Sequence, residues 1–403
     1  MSASRKTLLV LASTYPRWAA DHEPGFVHEL AKRLTAQFHV IVLCPHAKGA
    51  AQTEVMDSVE VVRYRYAPEF LETLVNDGGI VTNLKMHRWK ALLVPGFVLA
   101  QAWQAWRLCR TRKVDVIHAH WLIPQGLIAV ALHNLPGCKV PFLVTSHGAD
   151  LYALRSKPLT ALKRWVLGRA SAATVVSSAM VDEVARIGGD VRKVSVLSMG
   201  VDLAKRFVPG DPQKRSANEL LFVGRLVEKK GLRYLLAAMP EVLKLRPDVR
   251  LKIAGFGPEE EALAEQVRSL SLGHAVQFLG AVPQADLPAL YQQAALFVAP
   301  FIRAESGDQE GLPVALMEAV ACGCPAIAGD VAGLQDIFDD SVRVCIVNPH
   351  DSVALKNSIL RDLQQREAAL HRVAVMRDAL LDKLDWTQIA GRYANLLEKI
   401  VVD

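Results

Sequence analysis

No stretch of this 403-residue chain reaches the ~18 uninterrupted apolar residues of a membrane-spanning helix, although 51% of its residues are hydrophobic. Met1 to Leu11 carries neither the long apolar region nor the cleavage site of a signal peptide. Together these absences predict a cytosolic protein. The six cysteines, Cys44, Cys109, Cys138, Cys322, Cys324 and Cys345, include no CxxC pair, which fits reduced thiols and argues against a zinc centre. Asp-x-Asp, a common carboxylate pair for holding Mg²⁺ or Mn²⁺, does not occur. Nor is there a nucleic-acid-binding module, an internal repeat or a low-complexity tract.

What is present is unevenly distributed. Residues 1–208 hold 26 Lys and Arg against 15 Asp and Glu, whereas residues 209–403 hold 21 against 26. The net charge of +6 therefore belongs to the first half. Such an asymmetry points to an anionic partner for that half: a membrane surface, an anionic acceptor or, ranked last, nucleic acid.

Short β-branched runs alternate with helical patterns along the whole chain, the signature of parallel sheets with crossover helices. The first half is expected to place strands at Thr7 to Ala12, Val40 to Cys44, Val59 to Tyr64, Asp115 to Ala119, Phe142 to Thr145, Ala173 to Val176 and Val194 to Leu197. In the second half they fall at Leu220 to Val223, Arg250 to Ala254, Val276 to Leu279, Ala295 to Ala299, Pro325 to Ala328 and Val344 to Val347. The polar segment Asp202 to Asn218, with Pro209, Gly210 and Pro212, reads as a linker. An α/β protein of two doubly wound, Rossmann-like domains is thus expected, with ligands at the carboxyl ends of the strands.

Glu310 and Glu318 bracket the stretch Gly-Asp-Gln-Glu-Gly-Leu-Pro-Val-Ala-Leu-Met-Glu-Ala-Val-Ala-Cys-Gly-Cys-Pro, residues 307–325. Pro313 suits the first turn of a helix. Glu310 then precedes that helix, Glu318 lies on it, and the backbone N–H groups of Gly311 and Leu312 sit between them at its positive end. Such a site suits an anion flanked by hydroxyls, as in a nucleotide sugar. Val223-Gly224-Arg225-Leu226-Val227-Glu228-Lys229-Lys230-Gly231 ends another strand and offers Arg225 and Lys230 to a diphosphate.

The Glu-x7-Glu pattern with its small-residue helix, and Gly-Arg-Leu-x-x-x-Lys-Gly, resemble the donor motifs of glycosyltransferase family 4, retaining enzymes of GT-B fold. The resemblance spans most of the chain and is strongest from Leu220 to Leu334. It implies an acceptor domain at 1–208, a nucleotide-sugar domain at 209–385 and a terminal helix, 386–403, that crosses back to the first domain. It also implies an interdomain cleft as the site of catalysis. Arg225 and Lys230 would bind the diphosphate, Glu310 the sugar hydroxyls and Glu318 the ribose. Gly255 and Gly257, in a Gly-x-Gly turn without the third glycine of a dinucleotide fingerprint, would line the nucleotide pocket.

In Thr145-Ser146-His147-Gly148-Ala149-Asp150 the family's counterpart histidine contacts the donor sugar, so His147 and Glu310 are the expected catalytic residues. Asp150 is expected at the acceptor or as a cap. Gly25 is the one glycine in the loop Ser13 to Glu29, which in the family reaches the donor phosphates. His118-Ala119-His120-Trp121 puts two histidines on one strand face, but no third ligand has suggestive spacing, and His120 and Trp121 fit an acceptor-facing loop better than a metal. The Gly-Phe-Val-x-Glu and Gly-Asp-Gln-Glu-Gly-Leu-Pro segments look most like the exopolysaccharide and surface-glycan branch. No cofactor is expected, the donor being a substrate, and missing Asp-x-Asp favours metal-independent transfer.

Two readings compete with a hexosyltransferase acting on a glycan or lipid-linked acceptor. One is a nucleotide-sugar epimerase or phosphorylase on the same fold; the other is a catalytically silent binding subunit. Lys85 to Lys113 holds seven basic residues, three tryptophans and no acid. That composition suits either a helix at an anionic membrane surface or a domain helix packing its tryptophans inward.

Overall fold

The computed structural model describes residues 5–18, 21, 25–76, 79–136, 138–153, 155–203, 205–310, 312–331, 334–338, 343 and 345–402. The chain divides into two compact units, Met1–Gly200 with Trp386–Asp403, and Val201–Asp385.

The first unit is built on eight strands: β1 (Lys6–Leu11), β2 (Phe38–Pro45), β3 (Thr53–Met56), β4 (Val59–Tyr64), β5 (Val116–His120), β6 (Phe142–Ser146), β7 (Ala172–Val175) and β8 (Val194–Val196). Their order across the sheet is β3-β4-β2-β1-β5-β6-β7-β8. All pairs are parallel except β3 with β4. Leu8 to Leu11 of the central β1 are buried on both faces, which is why that run is continuously apolar rather than alternating. The order turns about at β1 and β5, the switch point where such sheets open a crevice beyond their carboxyl ends. His120 and Trp121 leave β5 there, and Ser13 to Tyr15 leave β1.

The second unit holds β9 (Glu219–Val223), β10 (Arg250–Ala254), β11 (Val276–Gly280), β12 (Leu296–Ala299), β13 (Ala326–Gly329) and β14 (Ile346–Val347). These six strands are parallel in the order β11-β10-β9-β12-β13-β14, with the switch point between β9 and β12. The segment expected as a linker packs on this unit. Buried Arg215 donates to the carbonyls of Tyr291, Ala294 and Cys322 at 2.7, 2.6 and 3.1 Å.

Every expected strand is present, with ends moved by a residue or two; Val344 lies outside the described residues. The strand that was not expected is β3, joined to β4 by Asp57 and Ser58 at φ 47° and 68°. Two left-handed residues make the tight hairpin turn that twists with its strands. Asp-Ser lacks the glycine that advertises such a turn in a sequence.

The helix Trp386–Val402 shares the first unit's core, its Trp386, Ile389, Tyr393 and Leu397 lying with Leu8, Val10, Val42 and Leu143. A Cβ on Gly200 would meet the Trp386 ring at 2.5 Å, so the indole lies directly on backbone. Fully buried side chains of this kind contribute roughly 1.5–3 kcal/mol each. Leu397→Ala is therefore expected to cost about 2–5 kcal/mol, seen as an earlier urea transition of the first unit. An unmoved transition would show that the helix does not brace that core.

Candidate active site

In the second unit three loops meet at the switch point. The loop after β9 runs alongside the loop after β10, with Leu226 N donating to Phe256 O at 2.9 Å and Glu259 N to Leu226 O at 3.1 Å. A Cβ on Gly255 would stand 1.9 Å from Gly224 O, and one on Gly257 would stand 2.4 Å from Leu226 O. Both glycines were expected to let backbone approach a nucleotide. In the structure the space each leaves is taken by the neighbouring loop's carbonyl. Gly231 has φ +66° and a Cβ there would meet Pro300 O at 1.8 Å, so it too is fixed by a close approach, to the chain just past β12.

That turn, Glu228–Lys230, carries two lysines to one carboxylate. Lys230 Nζ lies 3.0 Å and Lys229 Nζ 3.5 Å from buried Glu310; Lys229 also reaches Asp308 at 3.3 Å. Burial would raise the Glu310 carboxyl, but Lys230 and Lys229 outweigh it and hold the group below its usual range. Lys229 mirrors this: burial lowers it, and Glu310 and Asp308 more than restore its charge. Half-buried Arg225 stands five residues earlier on the same loop. Lys229 was not singled out from the sequence, and its signal is the doubled lysine before Gly231.

Pro313 stands one position ahead of the helix Val314–Ala321, its carbonyl accepting from Leu316 N at 3.0 Å. Leu312 is buried beside it, and Gly311 lies outside the described residues. Glu318 is buried on that helix and accepts from Gln284 Nε2 at 2.8 Å and from Tyr291 OH at 3.0 Å. Neither partner was expected. Burial pushes the Glu318 carboxyl up to about 7, against the pull of Tyr291 and Gln284.

The first unit gathers aromatic rings beyond β5 and β6. His118 and His120 share a face as alternation requires, with ring centroids 4.2 Å apart. His120 Nδ1 lies 2.9 Å from His147 Nε2, the two rings inclined by 10°. Phe26 and Trp121 flank His147 at 4.9 and 5.1 Å. Burial pushes His147 and His118 down to about 3 and His120 well below its usual range, the neighbouring imidazoles adding to the effect on His118 and His120. All three rings are neutral near pH 7.

His120, expected to face an acceptor, is buried against His147 instead. Trp121 is half-buried at φ 75°, a conformation that costs a non-glycine residue on the order of 1–3 kcal/mol and tends to occur at functional sites. Asp150, also expected at the acceptor, spends its carboxylate inside the unit on Leu122 N, Ser146 Oγ and His147 N at 2.7, 2.8 and 3.2 Å. None of these donors lies in the short helix Ala149–Tyr152, so Asp150 does not cap it. Gly25 has φ −86°, and a Cβ there would find its nearest neighbour at 4.0 Å, so neither backbone nor space demands glycine. Although three histidines come together, the described residues hold no group of three or more His, Cys, Asp or Glu arranged for a metal ion. His118 and His120 are tilted by 34°, and His120 meets His147 edge to edge.

Residues 26–205 match the model described as Glycosyltransferase Family 4, and residues 206–374 match Glycosyl transferases group 1. Together the two matches run unbroken from residue 26 to residue 374. The chain is a glycosyltransferase. It is 26% identical to a glycogen synthase of Mycobacterium tuberculosis over 96% of this chain and 94% of that one. To the putative colanic acid biosynthesis glycosyltransferase WcaL of Escherichia coli it is 29% identical, over 60% of each chain. The sucrose-phosphate synthase of Thermosynechococcus elongatus superposes with a TM-score of 0.80 at 21% identity, over 99% of this chain and 100% of that one. The fold of this glycosyltransferase is GT-B.

Glu318 gives a pH test of the site. Its folded value of about 7 lies above the ordinary 4.5, so the folded unit holds a proton that the unfolded chain has released. Its contribution to stability is complete below about pH 4.5 and is lost as pH rises through about 7. Glu318→Gln does not titrate, so its stability relative to the parent should improve steadily across that window in denaturant midpoints. A difference independent of pH would contradict the assigned environment.

Proposed function

We propose that this glycosyltransferase moves a hexose-type unit from a nucleotide diphosphate sugar to a glycan or lipid-linked acceptor, with retention, in surface-polysaccharide synthesis. The observation that carries the reading is the Glu310 carboxylate held between Lys229 and Lys230 on the loop of Arg225. When the bond from the sugar's anomeric carbon to the phosphate breaks, negative charge grows on the departing diphosphate. Arg225, Lys229 and Lys230 supply fixed positive charge there, the electrostatic contribution that helps most as a leaving group departs. Glu310 keeps lone pairs for sugar hydroxyls beyond those it gives the lysines. Glu318 takes ribose hydroxyls, and His147, neutral, acts beside the reacting sugar as a hydrogen-bond partner and not as a charged acid. For retention, the acceptor oxygen attacks the face the phosphate leaves, and its proton passes to a departing phosphate oxygen. The colanic acid relative supports the surface-glycan setting.

Arg225→Ala and Lys230→Ala should each cost on the order of 1.5–3 kcal/mol of transition-state stabilisation, roughly ten- to a hundredfold in kcat/KM for acceptor-dependent release of the nucleoside diphosphate. Release without an acceptor would favour an epimerase or hydrolytic side reaction, and wild-type kinetics in both variants would remove the reading. With side-chain cations on the leaving group, activity should survive EDTA; loss on chelation, restored by Mg²⁺ or Mn²⁺, would assign Asp308 or another carboxylate to an ion.

An anionic membrane face completes the proposal, since a lipid-linked acceptor is presented there. On the helix Val94–Thr111, Phe97, Gln101, Ala105 and Leu108 face inward. Leu92, Leu99 and Trp103 remain 83%, 68% and 63% exposed, which favours the interfacial reading of the segment over tryptophans packed inside. Trp106 lies 4.9 Å from Trp103, with Arg110 5.5 Å over it. Lys85, Arg88 and Trp89 are exposed just before this helix. Each basic residue contributes roughly 1 kcal/mol at an anionic surface, over a Debye length of about 8 Å at physiological salt. Cosedimentation with anionic vesicles should fall as salt rises and weaken when Arg107, Arg110 and Lys113 are neutralised together. Equal, negligible binding to anionic and neutral vesicles would turn the acceptor towards a soluble molecule.

A further inference from the structure

The imidazoles of the first unit form a column with a defined direction. Tyr393 OH donates to Leu197 O at 3.0 Å, so its oxygen is left to accept from Thr174 Oγ1 at 3.5 Å. Thr174, having donated, accepts from Thr145 Oγ1 at 2.6 Å. Thr145 in turn accepts from His118 Nε2 at 2.7 Å. Followed in that direction with one proton per oxygen, the chain ends with His118 protonated on Nε2 and bare on Nδ1. His118 Nδ1 has no hydrogen-bond partner among the described residues, and a lone pair without a partner costs less there than a stranded N–H.

His118 therefore offers His120 a flat ring with nothing for it to bond, the two centroids lying 4.2 Å apart with their planes inclined by 34°. Tyr393 closes the other side of His118 at 5.5 Å. The one polar atom His120 is shown to share with another side chain is Nδ1, on His147 Nε2. We infer that His120 is the positioning residue for His147: it occupies Nε2, fixes the ring's plane and tautomer, and leaves Nδ1 as the edge presented to a ligand. His118, Thr145, Thr174 and Tyr393 hold His120 in place from behind. The backbone sets the distance, because His120 pairs in register with Thr145, two residues before His147.

This inference rests on the proposed role of His147 for its effect on turnover, but not for its effect on the ring. His120→Phe keeps a ring against His118 and removes the bond to His147. It should lower kcat about ten- to a hundredfold, as expected for a misplaced group, with donor KM little changed. His120→Asn, whose amide can still donate to or accept from His147 Nε2, should recover a substantial part. Nitrogen-15 spectra of histidine-labelled protein read the ring directly. His147 should show one tautomer in the parent and in His120→Asn, and averaged tautomers in His120→Phe. Unchanged His147 signals in His120→Phe, an averaged His147 in the parent, or equal losses in the Phe and Asn variants would overturn the inference. Wild-type turnover in His147→Ala would instead overturn the role of His147, leaving the spectra to decide the positioning.

Discussion

Charge compensation around Glu310 is the constraint on which the second unit of the protein depends. Buried charges persist only when paired and hydrogen-bonded, and Lys229, Lys230, Asp308 and Glu310 satisfy one another within 3.0 to 3.5 Å. The arrangement needs the Glu228–Lys230 turn, which needs glycine at 231 because Pro300 O occupies the place of a side chain. It also needs the loops after β9 and β10 to run backbone against backbone, which Gly255 and Gly257 allow. The glycines of this half serve the scaffold first. They also hold Lys229 and Lys230 in place beside Glu310.

The two units solve different problems with the same sheet architecture. The second concentrates charge at its switch point. The first surrounds His147 with uncharged rings: His120, Phe26 and Trp121. Removing water from those imidazoles makes them neutral hydrogen-bonding groups, suited to orienting hydroxyls rather than to delivering protons. Burying Glu318 acts in the same sense, bringing its titration to about 7 and making its charge sensitive to whatever hydroxyl approaches it.

Much of the fold was legible because parallel strands buried on both faces are written as continuous apolar runs; Leu8 to Leu11 and Leu220 to Val223 are such runs. The hairpin strand β3 was hidden by an Asp-Ser turn without glycine. Glu310 and Lys230 stand out as candidates because each sits in a compact motif, and the structure brings them within 3.0 Å of each other. The partners of Glu318 were not, since Gln284 and Tyr291 lie 34 and 27 residues away and are brought in only by packing. Strand alternation placed His118 and His120 on one face, yet the bond from His120 to His147 depends on the register of β5 with β6, which local pattern does not specify. The bonds of Asp150 are hidden for a related reason, one of them reaching Leu122 N, 28 residues away.

The central claim is that the lysine pair on Glu310 recognises a diphosphate. Calorimetric titration of a nucleoside diphosphate, and separately of the parent nucleoside, into the wild type and into a Lys229→Gln, Lys230→Gln variant tests it directly. Glutamine still donates to Glu310 while removing both charges, so the account predicts that diphosphate affinity falls by about two orders of magnitude or more and that nucleoside affinity does not move. Equal diphosphate affinity in the two proteins, or a parallel loss for both ligands, would contradict it.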